Sequence, residues 1–440
     1  MYRLVPLALL LLVACGKSSE TPEDPPGKTP EVVGGIQGSL VVHMPIRPSS
    51  ESLVSAHALL GDGSRFRLPL DAQGSARFED PSIVGPQDVS VVFVRTPDYG
   101  GTEVYTVLGI NQPEVWLSHP FGPSEQTSLQ GTVSGKVTGA SGNGTVTVTA
   151  VNALSAYPRN PAADGAFTLE VHGVAPGQAT LFAWEVADDE FTVLRAGLKR
   201  GVTVGGGQAV SGQDVALDHP VDQLLDVGVE GLQAYGSVAS AEYLFFEGEA
   251  ELFRTDALGS VPLKVPTVAR TPPFDTTRTM LRVKAGDRER LPSGRTTAEV
   301  PVASTATSAS VKLLAPMRFE SPTVGTNKAP PAVPRSGLTV RWSADPEAQL
   351  HRMGIAAAAG QAGRLNWIVW APPSITSFTP FALPAEVSPH ATLATGRHAI
   401  EISAYARGDV QGYEAWFGRD SLRDGPAQRD TGLMGYVNLQ

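Results

Sequence analysis

Side chains able to do chemistry are sparse in this sequence, and their patterns point to binding more than to catalysis. Asp188, Asp189 and Glu190 offer the hard oxygen ligands that calcium favours. They are consecutive, however, and lack the alternating spacing of a dedicated calcium loop, so a solvated hairpin tip is the competing reading. Gly205, Gly206 and Gly207 form a glycine run without a following helix to aim amides at a phosphate, which reads as a loop. The sequence holds no His-Glu-x-x-His helix, no phosphate-binding Gly-x-x-x-x-Gly-Lys-Ser/Thr and no Gly-x-Ser-x-Gly nucleophile elbow. Asn143-Gly144-Thr145 has the form of a glycosylation acceptor and reads more simply as a turn. Aromatic side chains remain. Trp367 and Trp370 lie three apart in an extended run and so face opposite sides. With Trp416 and Tyr99 they are candidate ligand-facing platforms, because a flat exposed ring complements a sugar. Packing in a core or between domains is the alternative.

The chain that must position these residues is 440 residues long, 42% hydrophobic and 18% charged, with apolar surface enough for packed cores. Its 46 Gly and 36 Pro amount to roughly 19% of the residues, against about 12% in average usage, which argues against a helical bundle. Two to four domains are expected at roughly 100 to 200 residues each. The balance of 34 basic against 44 acidic residues argues against a basic nucleic-acid-binding surface, and no nucleic-acid partner is expected. A single cysteine excludes internal disulfides and multi-cysteine metal sites, and nothing in the sequence calls for a cofactor.

That cysteine ends an apolar run. Met1-Tyr2-Arg3 is followed by apolar residues from Leu4 to Ala14 and then Cys15, a stretch too short to span a membrane but of signal-peptide length. Leu12-Val13-Ala14-Cys15 resembles a bacterial lipobox. The resemblance implies a signal peptide over 1–14, lipidation of Cys15 with palmitate-type acyl chains, and attachment to a membrane through that lipid. Gly16, in place of the aspartate that retains such proteins at the inner membrane, implies delivery to the outer membrane, on its periplasmic or cell-surface side. Residues 15–35 are polar and proline-rich and read as an extended tether.

Beyond the tether, short alternating runs recur between Gly, Pro, Asp and Asn, the pattern of an all-β chain. Two stretches look like copies of one module. Asp71-Ala72-Gln73-Gly74 leads toward Phe78, and Gly85-Pro86 turns into Val89 to Val94; Asp164-Gly165 leads to Phe167, Leu169 and Val171, and Pro176-Gly177 turns into Ala179 to Trp184. Each closes with a further strand and a short last one, Val115 to Leu117 and Val215 to Leu217. The module resembles the carboxypeptidase regulatory-like, or transthyretin-like, β-sandwich. The resemblance implies sandwiches over 36–120 and 128–219.

Residues 221–320 continue in the same style and read as a third sandwich, with Glu247-Gly248-Glu249 turning one hairpin. A second proline-rich spacer is expected over Ser321 to Pro334. In 335–440, Trp342 ends an early strand and Tyr405 lies in a late one, which is similar to the fibronectin type III pattern and implies that both pack into the core. The expected architecture is therefore a tandem of antiparallel, immunoglobulin-like or transthyretin-like β-sandwiches after a lipoprotein signal peptide.

The zinc carboxypeptidases that lend the first module its name require His-x-x-Glu and a further histidine downstream. His398-Ala399-Ile400-Glu401 has the spacing, but His398 is the last histidine, and strand alternation sends the two side chains to opposite faces. The expectation is a non-catalytic, membrane-anchored structural or binding protein of the cell envelope, with envelope proteins or polysaccharide as partners. The alternative is a carbohydrate-binding or adhesion protein with a glycan site on a sandwich face.

Overall fold

Alternation decides the local structure wherever the sequence shows it cleanly. In the computed structural model, which describes residues 34–45, 52–96, 101–117, 129–152, 154–173, 177–189, 192–286, 293–357, 365–419 and 428–440, the strand Ala166–Gly173 buries Phe167, Leu169 and Val171 and exposes Thr168, Glu170 and His172. The turn before it works as its residues require. Gly165 takes a positive φ of 82° and the Asp164 carboxylate accepts from the Ala166 amide at 3.2 Å. The first copy repeats the device, with Gly74 at φ 76° and Asp71 accepting from the Gln73 and Ser75 amides at 2.9 and 2.8 Å.

The chain is all-β, and the helical content of the described residues is limited to single 3₁₀ turns such as Leu232–Ala234 and Glu414–Phe417. Three stretches share one topology. In the first, Gln37–His43 pairs antiparallel with Ser75–Val84 and parallel with Glu114–Trp116, while Gln87–Arg95 lies between Leu53–Leu60 and Thr102–Ile110. In the second, Leu129–Thr138 pairs antiparallel with Ala166–Gly173 and parallel with Val215–Ala216, and Gly177–Ala187 lies between Gly144–Asn152 and Val193–Val204. The third, for which the sequence shows no family motif, repeats the arrangement. Gln223–Glu230 pairs antiparallel with Leu263–Thr267 and parallel with Ser308–Lys312, and Arg278–Gly286 lies between Ala239–Glu247 and Ser293–Pro301. The parallel pairs depart from the purely antiparallel expectation. They arise because the last strand of each sandwich returns to the first after the chain has crossed to the opposite sheet.

The last stretch differs: Val340–Ser343 pairs antiparallel with both Arg318–Ser321 and Ser377–Phe378. Residues 321–334 are not a free spacer. Gly325 and Tyr436 exchange two backbone hydrogen bonds of 2.9 Å, and Ala332–Val333 runs parallel to Asn438 and Leu439, so this segment covers part of the edge of the final strand Arg429–Leu439. Proline-rich backbone still carries carbonyls and a few amides, and a strand edge is where they are satisfied.

The sandwiches are joined edge to edge. Ser293–Pro301 pairs antiparallel with Arg429–Leu439, and Leu365–Ala371 pairs parallel with Thr102–Ile110, giving one 13-stranded sheet that runs through the third, last and first sandwiches. Its two faces are closed from opposite sides. On one, Val92, Val104 and Leu108 share a core with Met353, Trp367, Ile400 and Ile402, covered by Val340 and Trp342. On the other, Val91, Phe93 and Tyr105 pack with Leu350 and the half-buried Trp370 and Tyr405, covered by Leu40 and Val42. Trp342 is thus in the core as expected. Tyr405 is not in the core of its own sandwich: Ile400, Ile402 and Ala404 take that face, so alternation turns Tyr405 toward the first sandwich. The second sandwich leans on the third through Phe182, which points away from its own core and stacks on Phe253 with ring centroids 5.1 Å apart. Arg200 fastens this contact, pairing with both carboxylate oxygens of Glu247 and donating to the Pro273 carbonyl.

Candidate functional site

The face of the shared sheet opposite the cores of the third and last sandwiches is polar and only partly exposed. Cross-strand charge pairs line it. Glu242 accepts from Lys284 and lies within reach of Arg282, Arg282 pairs with Glu299, and Glu401 takes Arg295 on one oxygen at 3.1 Å and Arg352 on the other at 3.2 Å. The more exposed pair of Arg295 with Glu401 contributes about 0–1 kcal/mol, whereas Glu299 beside Arg282 is largely shielded from water. Asp430 stands on the same face among Arg295, Glu299 and Arg282, and burial above all pushes its carboxyl up to about 6.

Where this face meets the first sandwich it dips into a groove of about 320 Å³. One row of residues crosses five strands in register: Met434 opposite Glu401, Glu401 opposite Gly354, Gly354 opposite Ile368, Ile368 opposite Tyr105. The neighbouring row holds Glu103, Asn366, Ala356 and Ala399. Small residues occupy the middle and larger ones the flanks, so the depression follows from side-chain size on a twisted sheet. The Tyr105 hydroxyl donates to Glu103 at 3.2 Å, and burial, reinforced by the Glu103 charge, raises its pKa.

The aromatic candidates separate. Trp367 is 1% exposed and donates its Nε1 to Thr106 at 2.9 Å, so it is a core residue and not a ligand-facing one. Trp370, on the opposite face as alternation requires, is half-buried and stacks on Tyr105 at 6.0 Å, beside the groove. Trp416 is half-buried beneath the Arg407 guanidinium, 5.5 Å from its ring centre. The sequence brought none of Arg352, Glu401, Gly354 and Tyr105 together as a binding row. Glu401 entered only as a rejected zinc partner of His398, and the two do face opposite ways, His398 being buried with Nδ1 3.0 Å from the Gly396 carbonyl.

The remaining candidates resolve simply. Asp189 accepts from the Thr192 amide and hydroxyl at 2.8 and 2.6 Å, an ordinary turn bond. Gly205 to Gly207 lie in a turn whose Gly207 amide donates to the Gln130 carbonyl. Among the described residues no group of three His, Cys, Asp or Glu side chains is placed to hold a metal ion, and no helix is long and apolar enough to cross a membrane. Cys15, Tyr99 and Glu190 lie outside the described residues.

The fold and its polar face define a multi-sandwich β protein, and comparison with known proteins adds no closer identity. No protein-family model and no curated protein matches the chain. Among solved structures it is similar to the Bacillus anthracis TIE protein at 11% identity, over 62% of this chain and 49% of that one, with a TM-score of 0.15. This chain therefore spans about half the length of that protein. It is similar also to the chicken CNTN1 FN1–FN3 domains at 13% identity, over 60% of this chain and 89% of that one, TM-score 0.15. A third likeness is to native Escherichia coli alpha-2-macroglobulin at 10% identity, over 87% of this chain and 26% of that one, TM-score 0.15.

Proposed function

We propose that this chain is an exported lipoprotein, held on the outer membrane through a lipidated Cys15, and that its sandwiches act without catalysis as a rigid binding or structural element of the cell envelope. The observation that carries the scaffold role is the continuous sheet. Backbone pairing between Leu365–Ala371 and Thr102–Ile110, and between Ser293–Pro301 and Arg429–Leu439, locks three sandwiches into one orientation where flexible linkers would let them swing. The anchor rests on Leu12-Val13-Ala14-Cys15. The reading of the first two sandwiches as carboxypeptidase regulatory-like modules is supported by their common topology and their Asp and Gly turns.

The test is metabolic labelling with radioactive palmitate of the wild type and of Cys15→Ser. Label in the wild-type band, absent from the variant, together with sedimentation of the wild type in the outer-membrane fraction, is the expected result. Wild-type protein that takes up no label overturns the anchor.

A further inference from the structure

We infer that the groove centred on Gly354 is a binding site for an uncharged, polyhydroxylated ligand, a neutral saccharide. This deepens the reading of the chain as a non-catalytic binding protein. Three observations converge on the groove. The first is its shape. A Cβ built on Gly354 meets nothing nearer than the Trp367 carbonyl at 3.9 Å, so the sheet has room for a side chain at this position and the sequence supplies none. The resulting volume of about 320 Å³ lies at the lower end of small-molecule sites.

The second is the balance of charge. Within the lining Glu103 and Glu401 stand with Arg352, and from beside it Arg95 at 3.5 Å from Glu103 and Arg295 at 3.1 Å from Glu401 pair with the two carboxylates, so hydrogen-bonding groups of both signs stand together without a large excess of either. A charged ligand gains little there, whereas hydroxyls, which donate and accept at once, match a mixture of donors and acceptors. Capacity remains for them. Among the described residues Arg352 spends only Nη1 on Glu401, and Asn366 accepts through Oδ1 from the Ala357 amide with its Nδ2 given no partner.

The third is the floor and its end. Ile368, Ala399 and Met434 give an apolar floor against which C–H groups of a sugar can rest, and the stacked Tyr105 and Trp370 adjoin it. Trp370 is also a tryptophan that reports on occupancy.

The experiment titrates the full chain, in detergent micelles, with neutral oligosaccharides (α- and β-glucans, mannan, galactan and chitin fragments) and with polygalacturonate as the charged comparator, read by tryptophan fluorescence and calorimetry. Saturable binding of at least one neutral oligosaccharide is expected, weakened roughly tenfold or more by Gly354→Leu, which fills the groove, and roughly tenfold by Arg352→Met. Thermal melts establish that each variant is folded; if Gly354→Leu is not, Arg352→Met alone decides. No binding across the neutral panel, binding of polygalacturonate alone, or binding unchanged in the folded variants overturns the inference. Palmitate uptake is read separately, so loss of the groove does not remove the anchor.

Discussion

The indole Nε1 of Trp367 donates to the Thr106 hydroxyl at 2.9 Å although 261 positions separate them in sequence. That hydroxyl also lies 2.8 Å from Ser90 Oγ, and all three side chains are buried in the seam where the first and last sandwiches share their sheet. Thr106→Val keeps the shape and strands the indole donor. It should lower stability by about 1–3 kcal/mol, read by urea denaturation. An unchanged midpoint would show that the bond contributes nothing to the seam.

Phe182 tests the contact between the second and third sandwiches. Its neighbours Leu181 and Ala183 fill the core of the second sandwich, while Phe182 sits in the core of the third. Phe182→Ala should cost about 3–5 kcal/mol, as for a core aromatic. Hydrogen exchange should quicken in Ala250–Gly259, the strand carrying Phe253, more than it does in Leu181→Ala. Equal effects of the two substitutions on that strand would count against the packing described.

Gly165 tests the hairpin turn that the sequence announces. At φ 82° an added Cβ would stand 2.3 Å from the Val137 carbonyl oxygen. Gly165→Ala should therefore destabilise by more than about 1 kcal/mol, whereas the same change at Gly354, where no backbone strain arises, should leave the melting temperature nearly unaltered.

Acid stability should reflect two opposed contributions. Burial lowers the pKa of His351 and His398 below the ordinary 6.5. His351 Nδ1 lies 3.1 Å from the donating Trp342 Nε1 and 3.3 Å from the Ile375 carbonyl, and its Nε2 is buried. The unfolded chain binds protons here first, so this stability is complete above pH 6.5 and falls as pH drops below it. Asp430 works the other way. Its carboxyl, raised from 3.8 to about 6, binds protons more readily when folded, so its contribution is full below pH 3.8 and is lost as pH rises through 6. Urea midpoints between pH 8 and 5 should fall more steeply in Asp430→Asn than in the wild type; parallel curves would remove Asp430 from the balance.

Much of the local architecture is legible in the residues. Asp164-Gly165 and Asp71 to Gly74 specify turns through their own side chains and φ preferences, Phe167, Leu169 and Val171 declare their face by period, and Trp342 enters the core. Trp367 and Trp370 are placed on opposite faces by spacing, but which face is buried depends on what covers it. Tyr405 failed for that reason: alternation shows that it opposes Ala404, and not that the first sandwich waits on its side.

That this chain is a succession of β-sandwiches follows from its residues alone, because strand period and turn chemistry are local properties. That three of them share one sheet, and that Met434, Glu401, Gly354, Ile368 and Tyr105 stand in one row, emerges from how the strands pair in three dimensions. Edge-to-edge pairing is made by backbone amides and carbonyls that every residue carries, so it leaves no residue-specific mark for the sequence to show.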